Sequence, residues 1–226
     1  MTHAGYFKVW ATVLAAILAA ILLSAAAFST GAGAQGLPCT GQVVLDPGHG
    51  GTDSGAVNTR YGLTEKEQNL DVATRLKDLL ENDGYTVCMT RTKDVPLSNN
   101  DRYTYANTTG ASVLVSIHMN GSSNSSTDYT TTLFGKWRKD KELATTVFGS
   151  LSTLPVASGT GTIATRTPYS FASGVLLKSE MPAIIAETVF ITNDREGQLL
   201  SDGTGTRQQQ IAEALRVGIE NYLKTP

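Results

Sequence analysis

Val43-Val44-Leu45 is an apolar, β-branched run that breaks off at Asp46-Pro47-Gly48-His49-Gly50-Gly51. Such a run reads as a buried strand, and the Pro/Gly turn after it as a loop at the strand's carboxyl end. In open α/β sheets, binding groups gather beyond those ends. The glycines permit positive φ and close backbone approach, and they leave His49 uncovered. Read alone, the stretch also fits a Gly-rich turn with an incidental histidine. A phosphate loop is disfavoured, because no Gly-Lys-Ser/Thr follows.

The chain then alternates strand-like and helix-like segments. Thr64-Glu65-Lys66-Glu67 has the form of a capping box, and Leu70, Ala73, Leu76 and Leu80 recur at helical spacing up to Asn82-Asp83-Gly84. A strand is expected at Tyr85–Thr90, a helix from about Ser98 to Thr109 and a buried strand over Ser112–His118. A Ser/Thr/Asn/Gly-rich loop, Asn120–Thr127, reads as surface. Further strands are expected at Tyr129–Phe134, Gly174–Leu177 and Pro182–Thr188, and helices at Lys139–Ser152, Asp194–Leu200 and Thr206–Leu223. This succession predicts an α/β fold with a central, mostly parallel sheet and helices on both faces.

Composition narrows the partners. With 226 residues, 41% hydrophobic and 17% charged, the chain fits one globular domain plus an appendage. A net charge of −2 gives no basic stripe for nucleic acid, which is not expected as a partner. The appendage is the uncharged run Val9–Phe28, preceded by Lys8 and followed by Ala32-Gly33-Ala34, a small-x-small pattern suited to signal peptidase. Residues 1–34 therefore read as a signal peptide, or as an anchor if uncleaved, 35–41 as a lead-in and 42–226 as the functional domain. Either way the domain is placed outside the cytoplasmic membrane, with membrane contact only through an uncleaved leader. A monomer is expected. Two cysteines in that compartment, Cys39 and Cys88, point to one disulfide.

The expected exported part holds only two histidines, His49 and His118, and each ends a predicted strand. If the strands are parallel neighbours, the imidazoles converge. Hydrolytic zinc sites typically take three protein ligands, often two His and a carboxylate, and leave a position for water. Glu65 or Glu67, at the start of the first helix, could supply the carboxylate. Glu67 has the competing capping role and Glu65 is freer. Glu187 closes the apolar run Pro182–Ala186, where a carboxylate is costly unless paired or bound, and it suits a general acid/base. Asp53 reads as a turn residue.

These residues lie in LDPGHGGTDSG, the Glu of GLTEKEQNL, the Arg and Asn of DRYTYAN, VSIHMN and PAIIAETVFITN. In this order and spacing, over residues 42–223, the chain resembles zinc-dependent N-acetylmuramoyl-L-alanine amidases of the AmiC-like (amidase type 3) group. The resemblance implies one catalytic Zn²⁺ held by His49, Glu65 and His118, with Glu187 as acid/base. It implies a twisted sheet of about six strands. It implies hydrolysis of the bond between N-acetylmuramic acid and L-Ala in peptidoglycan or muropeptides. Arg102, Asn107 and Asn120 fall on motif positions that suggest substrate binding or site support. Val189 departs from the small residue usual between the Glu and the Phe of this motif and is expected to reshape the pocket floor without removing a catalytic group. No plugging helix is seen in Leu133–Val175 and no wall-binding repeat, which suggests an open site and weak glycan affinity. A non-catalytic peptidoglycan binder and a zinc peptidase cutting within the stem are the alternatives.

Overall fold

The computed structural model describes residues 39–157 and 159–225. The expected leader, 1–34, and the first part of the lead-in lie outside these residues. Six strands form the main sheet: β1 (Val43–Pro47), β4 (Val87–Met89), β5 (Val113–Asn120), β6 (Thr131–Phe134), β7 (Tyr169–Ser170) and β8 (Ala183–Phe190). Their spatial order is β4-β1-β5-β8-β6-β7, and every pairing is parallel except β6 with β8. A small hairpin, β2 (Val57–Asn58) with β3 (Leu63–Thr64), precedes the first helix.

The helices are α1 (Glu65–Asn82), α2 (Asn99–Thr108), α3 (Trp137–Leu151), α4 (Gly174–Lys178), α5 (Asp194–Leu200) and α6 (Thr206–Leu223). Strand side chains alternate between faces. Val43, Leu45, Val115, Ile117, Ile184 and Ala186 point to one face, where they meet Leu76 and Leu80 of α1, Leu143 and Val147 of α3, and Ile211 and Leu215 of α6. Val44, Leu114, Ala183 and Ile185 point to the other, under Tyr105 and Ala106 of α2 and Val175 and Leu176 of α4. Central strands are therefore apolar on both sides, as a parallel sheet with two helical layers requires.

Two expectations are corrected. Gly174–Leu177 is the helix α4, not a strand. Four apolar residues do not fix a period, and here Val175 and Leu176 are buried while Leu177 is exposed. The outer parallel strand is instead Tyr169–Ser170, too short to carry an alternation. Thr64 does not cap the α1 backbone; its hydroxyl donates to Glu67 Oε2 at 2.6 Å. The first α1 amides are satisfied by the preceding loop, Glu65 N–H donating to the Ala56 carbonyl at 2.9 Å and Lys66 N–H to Ser54 at 3.1 Å. The reciprocal capping box lies at Ser98 and Asp101, at the start of α2.

Cys39 and Cys88 are within bonding distance, their Cα atoms 5.9 Å apart, where the lead-in crosses β4. Among the described residues, no helix is long and apolar enough to cross a membrane.

Candidate metal centre

β1 and β5 are adjacent and parallel, so the loop after β1 and the last turn of β5 open at the same edge. There, His49 Nε2 lies 3.1 Å and His118 Nδ1 2.9 Å from Glu65 Oε1. One ligand atom from each of the three residues falls within 4.8 Å of the others, a spacing at which they could hold a metal ion. The imidazoles meet edge to face with centroids 4.8 Å apart. Glu65 is the first residue of α1 and turns inward; it is 4% exposed, and its other oxygen accepts from Ala56 N–H at 2.8 Å. Burial alone would raise the Glu65 pKa, but hydrogen bonds from His118 and His49 hold it well below the carboxylate range. Burial disfavours a charged His49, yet carboxylates at both its ring nitrogens, Glu65 and Asp53, bring it up to about 9.

Glu187 stands in register beside His118 on the neighbouring strand β8. With His118, Ser116 and Asp46 it belongs to the sheet face that carries α2 and α4, and these groups line a cavity of about 410 Å³ that also takes in Tyr169 and Asn99. Burial raises the Glu187 pKa; His118 opposes the shift and Glu65 adds to it. A larger groove of about 670 Å³ runs between α3 and α6, and it contains none of these converging groups.

The loop bearing His49 is held by two arginines. Arg91, after β4, donates from Nε to the Pro47 carbonyl at 2.9 Å and from a terminal nitrogen to Gly48 at 2.9 Å. Arg102, on α2, donates to the Pro47 carbonyl at 2.8 Å, to the His49 carbonyl at 2.8 Å and to Asp46 Oδ1 at 2.7 Å. Three consecutive carbonyls are thereby fixed, which supports His49 at φ 61°, a left-handed value unusual for a residue with a Cβ. Asp46 is fully buried, accepting also from Thr90 and Ser116 hydroxyls at 2.6 Å each; burial opposes its charge, and Arg102 with the two hydroxyls holds its pKa low. Burial and the proximity of Arg102 lower Arg91 to about 10, which leaves it charged at neutral pH. Gly48 has no room for a side chain, since a Cβ there would lie 2.2 Å from the His118 ring.

Arg102 is thus buried under the site and not part of a surface ion pair. Asn107 sits elsewhere: its amide donates to the Lys178 carbonyl at 3.1 Å and its oxygen accepts from Glu180 N–H at 2.8 Å, tying α2 to the α4–β8 turn. Asn120 ends β5 beyond an irregularity in the pairing with β8, its carbonyl accepting from Ile191 N–H. That irregularity also explains Val189, which joins the core under α1, α3 and α6 and does not form the pocket floor. Asp53 makes its turn, with a Gly50 bridge, but also places Oδ2 2.8 Å from His49 Nδ1. Sequence reading missed Arg91 and Asp46. A signal existed for Asp46, a carboxylate closing an apolar run just as Glu187 does.

A family model described as N-acetylmuramoyl-L-alanine amidase matches residues 43–221. The chain is 31% identical over 191 residues to N-acetylmuramoyl-L-alanine amidase LytC of Bacillus subtilis, covering 83% of this chain but only 36% of LytC. In structure it is similar to AmiC2 of Nostoc punctiforme, with a TM-score of 0.72 and 32% identity over 80% of this chain and 96% of the other. An N-acetylmuramoyl-L-alanine amidase from Clostridium difficile 630 gives a TM-score of 0.73 and 33% identity, over 84% and 99%. The chain spans about a third of LytC and nearly the whole of these two solved chains. On the family match across this span, the chain is a member of the N-acetylmuramoyl-L-alanine amidase family.

Proposed function

We propose that the protein is a zinc-dependent amidase that cleaves the bond between the lactyl group of N-acetylmuramic acid and L-Ala of the peptide stem. The observation that carries this reading is the convergence of His49, Glu65 and His118 within 4.8 Å, with Glu187 beside His118 in register. Two imidazoles and a carboxylate are the donor set that hydrolytic zinc takes, and Asp53 orients His49 as an outer carboxylate does in such sites. When bound there, zinc would polarise the scissile carbonyl and make the attacking water more acidic.

Glu187 takes the proton from that water as the water adds to the carbonyl carbon. It returns the proton to the L-Ala nitrogen as the C–N bond breaks, leaving a lactyl carboxylate and a free amine. A carboxyl raised by burial suits both halves of this exchange better than an ordinary one. Asp46, Arg91 and Arg102 hold the His49 loop in place. α3 packs against α6 on the opposite face, consistent with an open site. The expected leader, an oxidised Cys39–Cys88 bridge and action outside the cytoplasmic membrane complete the reading.

Digestion of muropeptides by the purified domain tests it, with zinc, with chelator and as Glu187→Gln. Release of intact stems should need the metal and fall about 10²–10⁴-fold in the variant. Shortened stems would point to a peptidase, and zinc binding without any cleavage to a binding module.

A further inference from the structure

The pocket contains one arginine, Arg102, and Asp46 with the loop carbonyls already engages it. The cation at the rim is different. Arg166 lies in the segment leading to β7, its N–H donating to the Thr130 carbonyl at 3.0 Å, alongside the Thr130–Thr165 bridge. Its guanidinium stacks 4.5 Å from the centre of the Tyr169 ring and donates to the Tyr129 hydroxyl at 3.3 Å. Tyr169 lines the pocket, and Tyr129 packs edge to face on Phe190 at the end of β8. Arg166 is exposed and makes no ion pair with a carboxylate among the described residues. A guanidinium has five N–H donors in a fixed fork, so most of this one faces outward, held in place by two rings.

We propose that Arg166 binds a carboxylate of the stem peptide, the α-carboxylate of the residue after L-Ala. This rests on the amidase reading of the site. In peptidoglycan stems that residue is a γ-linked D-glutamate whose α-carboxylate is either free or amidated. The distances agree. Thr131 of β6 is opposite Glu187, and the Thr131 hydroxyl donates to the Thr167 carbonyl, so the backbone next to Arg166 runs two strand spacings, about 10 Å, from the Glu187 backbone. An extended stem carries its second residue roughly 7 Å beyond the scissile nitrogen, and a hydrogen bond adds about 3 Å. Bidentate pairing with a carboxylate is what the planar fork favours, and an amidated stem offers no charge to it. Arg166 is therefore a specificity determinant that separates acidic from amidated stems.

Equilibrium titration tests this in the full exported domain bearing Glu187→Gln, which removes turnover. The probes are two disaccharide-peptides identical except for D-isoglutamate or D-isoglutamine after L-Ala. The acidic probe should bind about fivefold tighter, the upper range for an exposed pair, and added salt should narrow the gap. Adding Arg166→Ala should abolish the difference, and Arg166→Lys should keep part of it. Equal affinity, no measurable affinity for either probe, or a preference that survives Arg166→Ala would overturn the assignment. Cleavage by the unmodified protein is read separately. Failure to cut either probe counts against the amidase reading, while the affinity difference judges Arg166.

Discussion

The two faces of the sheet are built from the same strands and do different work. Under α1, α3 and α6, helices of 15 to 18 residues cover the larger apolar core. On the other face the cover is α2 and α4, of 10 and 5 residues, and it stops short of the carboxyl ends of β1, β5 and β8. There the alternation that places Val44, Leu114 and Ile185 in a small core also places Asp46, Ser116, His118 and Glu187 at the opening. Strand parity therefore separates support from chemistry. One set of alternate residues builds the larger core, and the other set changes from apolar to polar as it reaches the site.

A matched pair of substitutions puts that separation at risk. Arg102→Ala leaves Asp46 buried without its cation, frees the His49 carbonyl and leaves Pro47 to Arg91 alone. Breaking such a pair costs about 3–5 kcal/mol, and zinc affinity should fall together with the melting temperature. Leu76→Ala, fully buried on α1 against the opposite face, should cost about 2–5 kcal/mol by leaving a cavity. In the folded fraction its zinc affinity should match the parent. Calorimetry with and without zinc distinguishes the two; a loss of metal affinity in Leu76→Ala would show that the faces are not independent.

Gly48→Ala sharpens the contrast within the site face alone. The new methyl would overlap the His118 imidazole, so that ring must move while the strand core stays packed. A displacement near 1 Å at a reacting centre costs on the order of 10²-fold in rate, and stem release measured at saturating zinc should fall by at least that factor. Circular dichroism should show the fold retained. Full activity would mean that His118 tolerates movement, which is incompatible with the ligand role proposed for it.

Much of this was legible because two simple signals coincide at the site. Apolar runs that turn polar at His49, His118 and Glu187 mark the carboxyl halves of their strands, although β5 continues to Asn120 and β8 to Phe190, and parallel pairing brings those halves together. Glu65 was separable from Glu67 by position, although the reason lay less in a capping box than in the loop at Ser54–Ala56, which satisfies the helix start and turns Glu65 inward. Arg91 was not legible, since a guanidinium bonded to loop carbonyls leaves no spacing in the sequence. Val189 was misplaced, and Asn107 faces the α4–β8 turn, for a common reason. Motif position fixes a residue along the chain, whereas a helix face or a strand irregularity decides which way it points.

The supporting side has its own buried ions, and they differ from the Asp46–Arg102 pair in being unbalanced. Arg207 of α6 forms a buried two-point ion pair with Glu196 of α5, and Asp128, from the loop before β6, packs against the same Glu196. Burial, with the adjoining Glu196 carboxylate, lifts Asp128 to about 7, while Phe190 N–H and Arg207 pull the other way. The folded chain therefore holds this proton more tightly than the unfolded chain, whose ordinary value is 3.8. The resulting stability is fully present below about pH 4 and lost as pH rises through about 7. Asp128→Asn keeps an acceptor for Phe190 N–H and a donor for Glu196 at every pH. Its melting temperature should match the parent at about pH 3.5 and exceed it at pH 8 by about 2–4 °C, what ~1 kcal/mol is worth in a chain of this size after allowing for partial solvent screening. An equal offset at both pH values would mean that Asp128 ionises normally in the fold and that only Asp46, on the site face, is held by a fully matched set of partners.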